Sequence, residues 1–261
     1  MTILSYNCNF IFVHVQKCGG TSVEAGWQKI GRWGDFVIGS TPEGEMLQDT
    51  YRSLYNIDKH ASASRIKKAV GRTIFERSQV IVVVRNPITI IESHYKFGRS
   101  LFDRYSAESE IDRDRLLQMI KSKDECLPSW WFVMTKGALI DAMQASNFED
   151  FADRVLDKRW GRYLRNCTDD SKNRRLTTKV LKIEEPKTII STFNSLVSEY
   201  HKDLGIKRFH FSDGRRYKEK FKLLHLNQSQ SIEIKWNRTQ LQKCCDITEQ
   251  EHLTFGYELP F

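Results

Sequence analysis

One arrangement constrains the fold more than any other feature: a short apolar run leads at once into a turn and a helix-compatible stretch, and this happens twice. The first run, FIFVHV at residues 10–15, precedes two adjacent glycines and a helical pattern over residues 21–30. The second run, QVIVVV at Gln79–Val84, precedes Pro87, which suits the first turn of a helix. Continuously apolar strands are typical of a parallel sheet that helices cover on both faces. The chain is therefore predicted to be an α/β protein with a central parallel sheet flanked by helices.

The remaining segments continue this alternation. Ser62 is predicted to cap a helix over Ala63–Val70, with Gly71 placed to end it. TKVLKIE at residues 178–184 predicts a further strand, followed by a helix over residues 186–204. The middle of the chain is predicted to be helical, and right-handed crossovers are expected between the parallel strands.

Composition and charge narrow the class of protein. The length of 261 residues suits one large domain, so a single domain over residues 1–261 is expected. With 40 % hydrophobic and 28 % charged residues, the collagen-like, disordered and small disulfide-rich classes are excluded. The formal net charge of +8 favours anionic partners.

Targeting and cysteine signals are weak. No apolar stretch approaches the roughly 18 residues of a membrane-spanning helix. The opening residues lack the features of a signal peptide, so a soluble chain is expected. The six cysteines form no C-x-x-C pair, so we expect reduced thiols and neither a zinc site nor a thioredoxin motif.

The turn after the first strand carries the clearest binding signal, in the segment Lys17-Cys18-Gly19-Gly20-Thr21-Ser22. Adjacent glycines let the backbone turn tightly and present N–H groups to an anion, and the following helix N-terminus adds a favourable dipole. Lys17 supplies a mobile full charge, while Thr21 and Ser22 supply hydroxyl donors. This pattern predicts a phosphate-binding loop, and an ordinary Gly-Gly turn beside a solvated lysine is the alternative.

This loop differs from the usual nucleoside-triphosphate loop. The spacing G-x-x-x-x-G-K-[ST] is absent, because Lys17 precedes the glycines. The second strand runs into Arg85, where a magnesium-dependent enzyme would need an acidic residue. The sequence therefore predicts a site that binds an anion without an obvious metal.

Two motifs carry a family resemblance. FVHVQKCGGTS at residues 12–22 resembles the 5′-phosphosulfate-binding loop of sulfotransferases, as found in the carbohydrate-acting branch, with Gln16 and Cys18 where that pattern has proline and threonine. VVVRNPITIIESHYKF at residues 82–97 resembles the 3′-phosphate motif of the same family. Weaker similarity at KHASASRIKKAVG, VLKIEE, HLNQS and FGYELPF extends the resemblance over nearly the whole chain.

The resemblance implies a fold, a reaction and a set of nucleotide contacts. The implied fold is the P-loop, nucleotide-kinase-like sulfotransferase fold. The implied reaction moves a sulfuryl group from 3′-phosphoadenosine 5′-phosphosulfate (PAPS) to a hydroxyl acceptor, leaving 3′-phosphoadenosine 5′-phosphate (PAP), without a metal. The implied nucleotide-binding residues are Lys17, Cys18, Gly19, Gly20, Thr21, Ser22, Arg85, Ser93 and Ser229.

Two residues are expected to be catalytic. Lys17 would stabilise the negative charge that develops on the oxygen bridging to the 5′-phosphate. His60 would accept the proton of the attacking hydroxyl, because it precedes the helix capped by Ser62 and matches the histidine segment of the family. His14 is expected to be a hydrogen-bonded core residue, and His94 to face elsewhere on its helix.

The acceptor and the compartment follow less directly. A carbohydrate or glycoconjugate is expected, with the basic clusters at residues 154–175 and 208–222 available for an acidic glycan, and with Trp130 and Trp131 as candidate stacking groups. No nucleic-acid partner and no stable membrane insertion are expected. A cytoplasmic enzyme of bacterial or viral type is predicted, with a trimmed Golgi lumenal domain as the alternative. A magnesium-dependent nucleotide kinase and a non-catalytic basic protein that binds nucleotides or nucleic acid stay open as alternative functions.

Overall fold

A computed structural model describes six stretches of the chain. These are residues 2–31, 34–39, 42–157, 160–203, 220–224 and 232–261. The chain forms two compact units, the first comprising Met1–Arg85 with Leu164–Leu226 and the second Asn86–Tyr163 with Asn227–Phe261. The expectation of one domain over residues 1–261 stays a prediction.

The first unit contains a five-stranded mixed sheet in the order β3-β1-β2-β4-β5. Its strands are β1 (Thr2–Ser5), β2 (Phe10–Val13), β3 (Phe36–Ile38), β4 (Gln79–Val84) and β5 (Lys179–Lys182). Strands β2, β4 and β5 are parallel, with Phe12 opposite Ile81 and Val82 opposite Val180. The α/β class is therefore confirmed, and so is the parallel arrangement of these three strands.

The sheet as a whole is not parallel, because β1 runs antiparallel to both β2 and β3. Only residues 6–9 join β1 to β2, with Asn9 at a φ of 50°. A connection this short can form a hairpin, whereas a parallel crossover needs a dozen or more residues. The prediction of a central parallel sheet is therefore confirmed for β2, β4 and β5 and corrected for β1 and β3, which make the sheet mixed.

Among the described residues of the first unit, six helices accompany the sheet. They are α1 (Gly20–Gln28), α2 (Pro42–Tyr55), α3 (Ala63–Val70), α4 (Arg72–Arg77), α10 (Arg165–Thr168) and α11 (Pro186–Asp203). The predicted start of α3 is confirmed, since the Ser62 side chain accepts a hydrogen bond from the Arg65 N–H at 3.3 Å. Its predicted end is confirmed as well, at Gly71 with a φ of 82°.

The core of the first unit lies between the sheet and helices α1 and α11. Phe10, Phe12, Trp27 and Phe193 are all fully buried, and their rings pack in edge and tilted contacts. Truncating one such ring costs about 3–5 kcal/mol in typical cores. This core packs against β2 and β4, and the loops that follow these strands carry the candidate site.

The second unit is helical. It contains α5 (Pro87–Ser109), α6 (Arg113–Ser122), α7 (Trp130–Val133), α8 (Ala138–Gln144), α9 (Phe148–Val155) and α12 (Arg238–Phe255). The predicted proline start of α5 is confirmed, and Asn86 caps it by accepting a hydrogen bond from the Ile88 N–H at 2.9 Å. Gly98 lets α5 approach α8, because a Cβ there would lie 2.5 Å from the Ala142 methyl. Among the described helices, none combines the length and apolar character required to cross a membrane.

Candidate anion-binding site

The candidate site lies at the sheet edge where the parallel strands β2, β4 and β5 end. The loop after β2 carries Lys17, Arg85 directly follows β4, and Ile183 directly follows β5. Nη1 of Arg85 donates a hydrogen bond to the carbonyl oxygen of Lys17 at 3.3 Å. The guanidinium of Arg85 therefore contacts the loop that carries Lys17, within the first unit.

The backbone of this loop leaves a group of N–H donors without acceptors. Lys17 and Gly19 both adopt left-handed conformations, with φ values of 62° and 78°. The N–H groups of Cys18 and Ser22 donate to Val15 and Gly19 carbonyl oxygens at 3.3 and 3.0 Å. For the N–H groups of Gly19, Gly20 and Thr21, no acceptor exists within the part of the chain that the structure describes. Such a cluster at a helix N-terminus suits an anion.

Both glycines are required sterically. A Cβ at Gly19 would collide with the Ile183 side chain, and its positive φ disfavours other residues. A Cβ at Gly20 would collide with the imidazole of His14. The predicted tight Gly-Gly turn is therefore explained by two close approaches, one from β5 and one from the end of β2.

Lys17 is half-buried, and its surroundings disfavour the charged form of its ammonium group. Desolvation lowers the pKa of its ammonium group to about 8, and the positive charges of Arg85 and Lys59 act in the same direction. The negative charge of an anion bound by the loop would raise this pKa again. The geometry thus provides two partly desolvated cations that a dianion would stabilise.

Cys18 is fully buried. Burial raises the pKa of its thiol well above the usual range, and nearby Cys167 and Glu184 add to this effect while Arg85 opposes it. The thiol is therefore neutral and enclosed, and the Cys18 N–H already donates to Val15. A contact between Cys18 and a nucleotide stays a prediction. The buried neutral thiol does not favour it, and neither does the N–H that already donates to Val15.

His60 lies in the same unit, three residues before the start of α3, and is half-buried. Burial lowers the pKa of its imidazole well below 6.5, and the charges of His14 and Lys59 contribute. Its Nδ1 is buried and has no hydrogen-bond partner among the described residues. A neutral ring with an uncommitted nitrogen has the protonation state that a proton acceptor needs.

The predicted core role of His14 is confirmed. The residue is 3 % exposed, and its Nδ1 lies 2.5 Å from Oε1 of Glu24 on α1, which is fully buried. The rings of His14 and His60 pack edge to face with centroids 4.7 Å apart. The hydrogen bond that Glu24 accepts from His14 was not predicted from the sequence. The one sequence feature that points to it is the spacing: Glu24 lies one helical turn after Gly20, on the side of the helix that faces the His14 ring.

Other predicted site residues lie away from this loop or outside the description. Ser93 is half-buried on α5 of the second unit, so its placement beside Arg85 stays a prediction. Ser229 and Asn227 lie outside the described residues, as does most of the basic segment 208–222. His94 is fully buried in the second unit, where its Nε2 lies 3.3 Å from the Tyr163 hydroxyl.

The two candidate stacking tryptophans differ. Trp131 is 1 % exposed and packs against Tyr105 with ring centroids 5.0 Å apart, so it is a core residue of the second unit. Trp130 is 46 % exposed. Of this pair, only Trp130 has a ring face that a sugar can reach.

A carboxylate near the loop was not anticipated. No acid follows β4, but Glu184 follows β5 and acts electrostatically on Cys18. Within the described ranges, no three or more His, Cys, Asp or Glu side chains are grouped as a metal site requires.

Comparisons of the chain with models of known protein families, with curated proteins and with solved structures find no match.

Proposed function

We propose that the chain is a sulfotransferase that transfers a sulfuryl group from PAPS to a hydroxyl acceptor, a carbohydrate or glycoconjugate. The observation that supports this most is the convergence of Lys17 and Arg85 on a loop whose Gly19, Gly20 and Thr21 N–H groups lack acceptors. The two motif resemblances supply the identity of the donor. The finer assignment to the P-loop-like sulfotransferase fold is part of the same proposal.

In the proposed reaction the acceptor oxygen forms a bond to sulfur while the bond from sulfur to the bridging oxygen breaks. The bridging oxygen leaves on the 5′-phosphate of PAP, where the ammonium group of Lys17 stabilises its developing charge. The proton of the acceptor passes to His60. A sulfuryl group carries less negative charge than a phosphoryl group, so loop amides and side-chain cations can suffice where a kinase needs magnesium.

Calorimetry with PAP and AMP tests the proposal directly. The 3′-phosphate adds charged hydrogen bonds of about 1.5–3 kcal/mol, so we expect PAP to bind about ten- to hundredfold more tightly than AMP. Transfer from radiolabelled PAPS to a panel of simple glycosides is expected to continue in excess EDTA. No transfer from PAPS with or without magnesium, together with magnesium-dependent phosphoryl transfer from ATP, would favour the kinase, for which Glu184 is a nearby acid. Equal binding of both nucleotides that falls steeply with salt would favour a non-catalytic electrostatic binder.

Arg85→Ala is expected to weaken PAP binding by about ten- to hundredfold, because a charged hydrogen bond to the 3′-phosphate is lost. The same guanidinium donates to the Lys17 carbonyl, so a smaller loss is expected for AMP, which shares only the loop. Calorimetry with both nucleotides measures the two losses separately.

Arg77→Ala is the matched control. Arg77 is exposed at the end of α4, so this substitution removes the same charge at a position away from the loop. It is expected to leave both affinities unchanged. Equal losses of PAP and AMP affinity in Arg85→Ala would restrict Arg85 to supporting the loop and would contradict the 3′-phosphate assignment.

A further inference from the structure

A buried carboxylate–imidazole pair lies directly behind the glycine loop. Glu24 is fully buried on α1 and His14 is 3 % exposed at the end of β2. The distance of 2.5 Å between Oε1 and Nδ1 is short for a hydrogen bond. Burying such a pair costs desolvation energy, so its net contribution to stability is small or negative in many proteins. A structural role alone is a weak explanation for placing it here.

The ring of His14 contacts both parts of the candidate site. On one side Gly20 leaves room for the ring, since a Cβ at that position would collide with it. On another side the rings of His14 and His60 pack edge to face, with 4.7 Å between their centroids and an interplanar angle of 79°. His14 therefore links the loop that carries the unused N–H groups to the proposed proton acceptor.

We propose that Glu24 and His14 are positioning residues that hold the imidazole of His60 in a fixed orientation relative to the loop. This inference rests on the proposed function for the task it gives His60. Glu24 accepts the Nδ1–H of His14 and so fixes both the tautomer and the rotation of that ring. A ring fixed in this way holds its edge-to-face contact with the ring of His60 in one geometry.

A substitution at Glu24 can change the tautomer of His14 while keeping the shape of the pair. Glutamine in place of Glu24 has nearly the same shape, but its NH₂ group can donate to Nδ1 of His14, which selects the opposite tautomer. A carboxylate-to-amide change beside a histidine commonly keeps the geometry and misplaces the proton. Glu24→Gln is thus a sharper probe than a truncation.

Nitrogen NMR of the imidazole rings tests the inference, with signals assigned through His14→Gln and His60→Gln variants. The wild-type protein is expected to show His14 protonated on Nδ1. In Glu24→Gln we expect His14 to carry its proton on Nε2 and the His60 signals to shift or broaden. With PAPS as donor, kcat is expected to fall about 10- to 100-fold, as for other residues that orient a functional histidine, while PAP affinity stays unchanged.

Glu251→Gln is the matched control, because Glu251 is also fully buried but lies on α12 of the second unit. It is expected to lower thermal stability without altering the His14 and His60 signals or kcat. Glu24→Asp keeps the carboxylate on a shorter side chain and is expected to retain the Nδ1–H tautomer with an intermediate kcat.

Each result bears on one of the two proposals. Wild-type His14 protonated on Nε2 alone would overturn the positioning role without any variant, even if Glu24→Gln failed to fold. Unchanged His60 signals or an unchanged kcat in a folded Glu24→Gln protein would overturn it too. If His60 responds to Glu24→Gln but the wild-type protein transfers no sulfuryl group, the proposed function fails and the structural link stands.

Discussion

Lys17→Ala is expected to lower the rate of sulfuryl transfer by about 100- to 1,000-fold, the usual effect of removing one donor aimed at developing charge. The loss should fall on kcat more than on PAPS binding, because the bridging oxygen carries its full charge only as the bond to sulfur breaks. Single-turnover rates with saturating PAPS measure this directly. The ammonium also predicts an upper pH limit for capture of the donor: kcat/KM for PAPS is expected to decline above about pH 8, where Lys17 of the free enzyme loses its proton.

The same variant should stay folded. The pKa of Lys17 falls from 10.5 in the unfolded chain to about 8 in the folded protein, so the unfolded state binds more protons between these values. The charged form is thus disfavoured by folding, and wild-type stability should rise with pH across this window. Lys17→Ala lacks that rise, and at neutral pH it loses an ammonium that folding does not favour. Thermal melts at neutral and alkaline pH measure both effects.

Lys29→Ala is the matched control for Lys17. It removes the same charge from an exposed position at the C-terminal end of α1, away from the loop. Its transfer rate and its nucleotide affinity are expected to match those of the wild type. Near-normal transfer by a folded Lys17→Ala protein would remove Lys17 from catalysis.

The parts of the fold that depend on neighbouring residues were predictable from the sequence. The strands β2 and β4, the Ser62 cap, the Gly71 stop and the proline start of α5 each follow from a few consecutive side chains. Strand β1 is as short as β2 but has no helix pattern directly after it, and β3 has only three residues, too few for a periodic pattern to separate it from a loop. The hairpin that makes the sheet mixed was missed for that reason.

Part of the candidate site, likewise, could be predicted from neighbouring residues in the sequence, and part could not. The glycine loop and Arg85 could be found because each follows a recognisable strand. Their hydrogen bond and the effect of Arg85 on Lys17 depend on the pairing of β2 with β4, which are 68 residues apart at this contact. The partnership of His14 with Glu24 depends on how α1 packs against the end of β2, and no local pattern encodes that packing.

His60→Ala is expected to lower kcat by about 100- to 10,000-fold with a hydroxyl acceptor, the usual contribution of a general base. Only neutral imidazole can accept the proton, and burial lowers the pKa of His60 well below 6.5. The wild-type rate should therefore rise with pH through a limb that lies below pH 6.5 and then reach a plateau. His60→Ala should remove this limb, and free imidazole in solution should restore part of the rate through the space left by the ring.

A second buried histidine provides the control. His252 is fully buried in the second unit, and burial lowers its pKa too. A folded state that holds either imidazole neutral binds fewer protons than the unfolded state, so each contributes a loss of stability as pH falls below 6.5. Both alanine variants should therefore change acid stability, but only His60→Ala should change the kcat limb while PAP affinity stays unchanged.

If the limb and kcat survive in His60→Ala, another group accepts the proton. Glu24 is already bonded to His14, and Glu92 accepts a hydrogen bond from Trp236 at 2.8 Å, so either carboxylate would have to give up a contact to serve.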